Sequence, residues 1–263
     1  MKNDNYGATR ELLIKTPVPQ QTRTYKPVSH EQLIDLTLES IYAAGFELDK
    51  EIYTATTDGQ VANGRFTISN VNDRDMQLQI GWQNSYNKKV TLKFAIGARI
   101  FICQNGAVSG DYGSFKKKHV GEVQTFAPAA ITEYIKSAGD AFRRLQSQRD
   151  EMKQIEITPT KRAQLVGEMI IDKEIINPTQ MNIISREIKK PTFDYGAENS
   201  LWELYQHTTY ALKEEHPRFW MDSHIAAHDF FINEAGILVN RDAQPLITNF
   251  GPRKQLELFE EAL

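Results

Sequence analysis

Hydrophobic residues repeat with two different periods along the first half of the chain. Between Ser29 and Gly45, the stretch SHEQLIDLTLESIYAAG places its apolar residues at helical spacing. Ser29 followed by Gln32 is a capping-box signature, and Gly45 suits the end of a helix. From Phe46 the period changes to two, which is typical of β-strands. The pattern therefore predicts one helix followed by a sheet.

Four strand-like segments follow this helix. They are FELDKEIYTAT, GRFTISNV, DMQLQIGWQNSY and VTLKFAIGARIFIC, all rich in β-branched and aromatic residues. The connections TDGQ, NDRD and NKK have turn chemistry, and such short connections make neighbouring strands antiparallel. We therefore predict a four-stranded meander with one face against helices and the other face polar.

The rest of the chain is predicted to be mainly helical. One long helix is expected over PAAITEYIKSAGDAFRRLQSQRDEMKQIE, with Pro128 in its first turn. Thr158–Pro159 and Asn177–Pro178 each combine a cap residue with a proline, which marks a helix start. The fold class is therefore α+β, an antiparallel four-stranded meander preceded by one helix and followed by a mostly helical C-terminal half.

This order divides the chain into four regions. Residues 1–28 are interrupted by three prolines and are expected to form an extended N-terminal arm with at most one helical turn, at Arg10–Lys15. A helix–meander–long helix core is expected over 29–157, and a helical subdomain over 158–235. Residues 236–263 form a C-terminal tail.

Composition and charge limit the possible classes of function without identifying one. The net charge of −3 over 263 residues means that any contact with nucleic acid needs a local basic patch. Cys103 is the only cysteine, so neither a disulfide framework nor a thiolate zinc site is expected. The chain shows no signal-like or membrane-spanning run, so we expect a cytoplasmic protein with no membrane partner and no cofactor.

Three stretches resemble the signatures of a known family. They are QNSYNKKVTLKFAIG, RIFICQNGAV with its Cys-x-Asn-Gly element, and NSLWELYQHTTYALKE. The resemblance is to phage- and plasmid-encoded proteins that carry a domain of unknown function (the 932 type), and it spans roughly residues 29 to 216. Gln206 and His207 depart from the small polar pair of that family. The resemblance implies an origin in mobile elements near replication and recombination genes, and it brings no activity with it. The predicted order of elements is also similar in topology to single-strand annealing proteins.

Basic and aromatic residues near the predicted strands indicate a site for single-stranded nucleic acid. Lysines neutralise phosphates, and aromatic rings offer platforms for bases. The alternative is that these lysines are ordinary solvated turn residues. The candidate residues are Lys88, Lys89, Lys116, Lys117, Lys118 and His119, with Trp82 and Tyr86 on the strands.

Two other motifs have an enzymatic and a structural interpretation. Cys103 is either a nucleophile or a small core residue that ends a strand, before a turn at Asn105–Gly106. His224 and His228 lie one helical turn apart and can share a metal, although the helix also carries many core-like aromatic residues. No phosphate loop or serine elbow is present, which favours a non-enzymatic protein without a metal.

The stretch QLELF in the tail resembles the pentapeptide by which bacterial DNA polymerases and repair factors dock on the sliding clamp. In this interpretation Leu256, Leu258 and Phe259 fill an apolar cleft while Gln255 hydrogen-bonds at its edge. The alternative is a terminal helix that packs Leu256, Phe259 and Leu263 on the domain, or on a second copy in a homo-oligomer. The burial of Leu258 distinguishes the two interpretations, because the clamp must bury this side chain whereas a packed helix can leave it exposed.

Together these features favour an accessory protein of DNA replication or recombination. It would be of phage or plasmid type, and it would bind single-stranded nucleic acid and the host clamp. The first alternative is a host-directed binding protein, such as a defence inhibitor or a nucleotide sponge, which would show a deep pocket lined by arginine and aromatic residues. The second is an enzyme that uses Cys103 or the His224/His228 pair.

Overall fold

The structure is a computed structural model that describes residues 6–101, 106–108, 115–117 and 123–236. The helices are α1 (Arg10–Lys15), α2 (His30–Ala43), α3 (Val123–Lys136), α4 (Ala138–Gln154), α5 (Pro159–Gly167), α6 (Pro178–Lys189), α7 (Leu201–Ala211) and α8 (Trp220–Glu234). The strands are β1 (Gly7–Ala8), β2 (Leu48–Ala55), β3 (Val61–Asn72), β4 (Met76–Ser85), β5 (Leu92–Ile100), β6 (Gly106–Val108) and β7 (Phe115–Lys117). A π-helical turn extends α5 and a 3-10 turn, Leu212–Glu214, extends α7. The α+β class is confirmed.

The described strands form one antiparallel sheet in the order β1-β2-β3-β4-β5-β6, and β7 also pairs with β5. The predicted meander corresponds to β2 through β5. The sheet has seven strands where four were predicted. The three additional strands have only two or three residues each, which is too few to show a period.

One face of the meander forms the hydrophobic core. The register places Phe66, Ile80 and Ile96 in a row across three strands, and all three are fully buried. Trp82 lies on the same face beside Gly64. A Cβ atom at Gly64 would lie 2.5 Å from the Trp82 ring, so glycine leaves the space that the indole occupies.

A network of ion pairs and hydrogen bonds joins the β3–β4 turn to α4. The Asp73 carboxylate accepts hydrogen bonds from the backbone N–H groups of Asp75 and Met76, both at 2.8 Å. Its other oxygen accepts from Gln146 at 2.7 Å and from Arg149 at 2.6 Å. Burial raises the pKa of Asp73, but these hydrogen bonds outweigh burial and hold the pKa below its ordinary value. The turn is therefore fixed firmly to the helix.

The prediction of one long helix was wrong. The chain instead forms α3 and α4, separated by Ser137. The backbone N–H and the hydroxyl of Ser137 both donate to the Tyr134 carbonyl, at 3.1 and 2.8 Å. This tight local bonding replaces the regular helical pattern. Pro128 lies inside α3 and not in its first turn, because that helix begins at Val123.

The predicted helix starts are confirmed by their caps. Ser29 and Gln32 form the expected capping box at α2. Thr158 caps α5, its hydroxyl accepting from the Lys161 N–H at 3.1 Å. Asn177 forms a second capping box at α6. Each cap satisfies helix N–H groups that have no partner within the helix.

The prediction for residues 1–28 is confirmed in one part and needs correction in another. The short helix expected at Arg10–Lys15 is α1, with the same bounds. Gly7–Ala8, however, forms β1 at the edge of the sheet. Leu13, Tyr25 and Val28 are buried. The prolines prevent a long helix there, but they do not prevent apolar side chains from packing on the sheet and α2.

The last two described helices are heavily buried. Nine of the eleven residues of α7 are buried, including the polar residues Gln206 and His207. Apolar residues from 29–157 and from 158–235 belong to one continuous core. Among the described residues, no helix is both long and apolar enough to cross a bilayer.

Candidate functional site

The second face of the sheet carries polar side chains along its centre. Successive side chains of a strand point to opposite faces, so the residues between the core positions share this polar face. They are Asn63, Arg65 and Thr67 on β3, Gln77, Gln79 and Gln83 on β4, and Lys93 and Arg99 on β5. Most of these side chains are buried, so each needs a partner from a covering element or from a ligand.

The start of α8 and the turn before it cover one half of the polar face. The Pro217 carbonyl accepts hydrogen bonds from Asn63 Nδ2 at 3.0 Å and from Gln83 Nε2 at 2.7 Å. Lys93, which is only 6% exposed, forms an ion pair with Asp222 of α8. These contacts close this half of the face.

The other half of the polar face is open. It forms a groove of about 710 Å³ that runs from β1 across the sheet to β5, which we call the sheet groove. With strands spaced about 4.8 Å apart, the four intervals from β1 to β5 make it roughly 19 Å long. Its lining includes one carboxylate, Glu51, and the cations Arg10, Lys50, Arg65, Arg99 and Lys213. A concave surface with this excess of cations attracts polyanions.

Neighbouring aromatic rings and carboxylates hold several of these cations in place. The Arg65 guanidinium lies 4.9 Å from the centre of the Trp220 ring, and Lys213 Nζ lies 4.8 Å from that of Tyr210. Arg10 pairs with Asp35 at 2.9 Å. Cation–π contacts restrain the position of a cation without removing its charge.

The floor of the sheet groove offers a hydrogen-bond donor. Arg99, which lines the groove, is mostly buried and lies 3.7 Å from Asp49, and its Nε has no hydrogen-bond partner among the described residues. A buried polar atom without a partner is costly, so the Arg99 Nε favours a polar ligand in the groove.

Lys88 and Lys89 lie outside the sheet groove, on the turn between β4 and β5. Lys88 has a left-handed backbone (φ 62°), and its Nζ lies 4.6 Å from the centre of the Tyr25 ring. This turn follows the far end of β4, roughly 20 Å along the strand from Gln79 at about 3.3 Å per residue. The two lysines and the groove are therefore separate basic regions.

The predicted aromatic platform needs correction. Trp82 is fully buried on the core face, and Tyr86 is only 3% exposed. The Tyr86 ring stacks on His30 at 4.1 Å, and its hydroxyl accepts a hydrogen bond from the His30 N–H at 2.8 Å. Strand alternation places Trp82 among core residues, so neither ring offers a face to a base.

The other candidates in the 103–119 region are only partly described. The backbone of Lys116 pairs with Lys93, and that of Lys117 pairs with Leu92, which places β7 beside β5. Lys118, His119 and Cys103 lie outside the described residues. So do the clamp-motif residues Gln255, Leu256, Leu258 and Phe259.

His224 and His228 are both buried in α8. His228 Nδ1 lies 3.1 Å from the Tyr205 hydroxyl, and burial lowers the pKa of His228 to about 4. His224 lies against the Trp220 ring at 4.6 Å. Within the described ranges, no group of three or more His, Cys, Asp or Glu residues is placed to hold a metal. The contacts are those of core histidines.

Sequence reasoning missed the sheet groove, although part of its signal was present. Arg65 and Arg99 alternate with core residues on the predicted strands, so both must lie on the polar face. The prediction from sequence uses instead lysines that are adjacent to one another in the chain. Lys213 gives no such signal, because only the packing of α7 brings it to the groove.

Comparison with known proteins identifies the family and no activity. The family described as a domain of unknown function, DUF932, matches residues 20–230. No curated protein and no solved structure matches the chain. The match covers most of the 263 residues and includes all four strands of the meander and α2 to α7. The chain belongs to the DUF932 family.

Proposed function

We propose that the sheet groove binds single-stranded nucleic acid. One observation carries this proposal, the convergence of five cations with a single lining carboxylate, Glu51, around the sheet groove. Contacts between cations and phosphates supply most of the affinity of nucleic-acid binding that does not depend on sequence. Such binding would suit an accessory factor of DNA replication or recombination, of phage or plasmid type.

The placement of the cations favours a single strand over a duplex. Arg65 and Arg99 rise from the floor of the groove and are partly buried, so phosphates must enter the groove to reach them. A flexible single strand can enter the sheet groove in this way. A duplex is instead usually read by a protein element that enters the grooves of the DNA. The surroundings of the groove offer few exposed rings, so we expect little base preference and a strong dependence on salt.

Fluorescence polarisation with a labelled oligo-dT strand at low salt tests this proposal. We expect binding at micromolar protein or below. Lys50→Glu should weaken it at least tenfold, because Lys50 is exposed and its charge is reversed inside the groove. Arg186→Glu is the matched control, since it reverses the charge of an exposed cation of α6 outside the groove. Absence of binding, or equal binding by Lys50→Glu and wild type, refutes the proposal.

The tail supports a second contact, with the bacterial sliding clamp. The support is the sequence match at Gln255, Leu256, Leu258 and Phe259. Replacing Leu258 and Phe259 with alanine should abolish capture of the full-length protein on immobilised clamp. Glu261→Ala, which lies outside the pentapeptide, should leave capture unchanged. If the Leu258/Phe259 variant is captured as well as wild type, the motif does not act as a clamp ligand.

A further inference from the structure

A second cavity lies where β5 ends, beside the last turns of α4 and the start of α7. Its volume is about 440 Å³, within the range of small-molecule sites. It shares no lining residue with the sheet groove. We call it the end pocket, and its principal side chains are Arg74, Phe101, Lys153, Asp194, Tyr195 and Trp202.

The walls of the end pocket are firmly built. The Phe101 N–H donates to the Asp75 carbonyl at 3.0 Å, which ties the end of β5 to the β3–β4 turn. Lys153 of α4 forms an ion pair with the Asp75 carboxylate. On the other side, Asp194 accepts a hydrogen bond from the Gly196 N–H at 2.8 Å, and Gly196 has a left-handed backbone with φ 71°. The pocket is thus preformed on both sides.

The charges of the end pocket are not all paired with one another. Lys153 and Asp75 neutralise each other. Arg149 Nη1 also lies 3.8 Å from the Asp75 carboxylate. Arg74 is exposed and makes no ion pair within the described part of the chain. Asp194 accepts a hydrogen bond through one carboxylate oxygen, and the donor is a backbone N–H. A guanidinium and a carboxylate therefore remain for a ligand that has both an anionic group and hydrogen-bond donors.

The aromatic residues specify the rest of such a ligand. Phe101 is 41% exposed, which is unusual for a large apolar side chain at a strand end, whereas Trp202 and Tyr195 line the pocket at only 3% and 6% exposure. The exposed Phe101 ring can accept a planar ligand by stacking. A nucleobase is planar and carries N–H donors, and its phosphate supplies the anion.

We propose that the end pocket binds a nucleotide. The base lies against Phe101, its N–H groups donate to Asp194, and the phosphate pairs with Arg74. A pocket lined by arginine and aromatic rings is also what a host-directed, nucleotide-capturing protein is expected to have. The nucleotide has two sources that share this chemistry, a free mononucleotide or an unstacked base of a bound single strand.

Calorimetry on the full chain separates these outcomes. The four nucleoside monophosphates are titrated into wild type, into Arg74→Ala and Phe101→Ala, and into two controls that remove an exposed arginine and an exposed aromatic ring elsewhere. The controls are Arg186→Ala and Tyr42→Ala, because Tyr42 is an exposed aromatic residue of α2. Binding of at least one mononucleotide that falls tenfold or more in both pocket variants, but not in the controls, supports a free nucleotide. In a Trp220→Phe background only Trp82 and Trp202 emit, and quenching of the Trp202 component should accompany binding.

An oligo-dT titration with the same variants provides the second arm. If mononucleotides do not bind but Arg74→Ala and Phe101→Ala weaken oligonucleotide binding, the ligand is a base of the strand. If neither ligand responds to the pocket variants, the proposal is wrong. Failure of the sheet groove is distinguishable, because Lys50→Glu affects only the oligonucleotide arm, and mononucleotide binding stands without it. Arg74 is exposed and unpaired among the described residues, so its loss should not impair folding.

Discussion

The two faces of the central sheet are made by the same strands and differ only in which alternate residues they carry. The core face is completely covered and consists of apolar residues such as Phe66 and Ile80. The polar face is covered by α8 at one half and open at the sheet groove in the other. A covered face contributes stability, whereas an open polar face is free to serve a ligand. Changes on the two faces should therefore separate stability from binding.

The largest expected difference lies between two neighbours on β3. Phe66→Ala removes a fully buried ring and should lower the free energy of unfolding by about 3–5 kcal/mol. Arg65→Ala should cost about 1 kcal/mol or less, mainly its cation–π contact with Trp220, while weakening binding to oligo-dT. Urea denaturation followed by circular dichroism checks the first value. Similar losses of stability in both variants would contradict a division of roles between the faces.

Acidification should loosen the helix that covers half of the polar face. Burial lowers the pKa of His228 in α8 to about 4, and burial likewise lowers that of His207 in α7 to about 4. The unfolded chain, with histidine pKa near 6.5, binds more protons between these values, so stability is lost as pH falls from about 6.5 towards 4. The upper limit is about 3 kcal/mol per histidine. His228→Gln should flatten the dependence of the urea midpoint on pH, and an unchanged slope would contradict this.

Two glycines test the difference in packing between the faces at closer range. Gly64 faces the Trp82 ring, so Gly64→Ala should lower the free energy of unfolding by about 1–3 kcal/mol through overpacking. Gly81 points to the polar face, and a Cβ there would lie 3.5 Å from its nearest neighbour, an ordinary contact. Gly81→Ala should therefore change the melting temperature much less. Equal shifts in differential scanning calorimetry would mean that the polar face is packed as tightly as the core face.

Strand alternation made the core face predictable, but it did not reveal which part of the polar face is open. The positions of β2 through β5 and the helix caps follow from local sequence, because period and capping are local properties. The break at Ser137 arises from local hydrogen bonds that the apolar period does not report. The burial of Tyr86 depends on tertiary packing, which no local pattern reports. The nearby basic residues predict a binding platform at Trp82, whereas its own alternation with Ile80 places it in the core. The covered half depends on Pro217, more than a hundred residues from its partners on the sheet.

The smallest expected effect distinguishes the sheet groove from the β4–β5 turn, which carries Lys88 and Lys89. The double variants Lys50→Ala/Arg99→Ala and Lys88→Ala/Lys89→Ala each remove two positive charges, so the net charge of the protein changes equally. Only the first removes cations from the groove, and it should weaken oligo-dT binding about tenfold, equivalent to about 1.4 kcal/mol.

The salt dependence of binding then separates local contacts from general attraction. Each lost phosphate contact reduces the slope of log K against log salt by about 0.7 for a single strand, so the groove variant should lose up to about 1.4 from that slope. The turn variant should keep the wild-type slope, because its lysines lie roughly 20 Å along β4 from the groove, beyond a Debye length of about 8 Å. The reverse result would place the strand on the β4–β5 turn. The open polar face would then need a different ligand for Arg65 and Arg99.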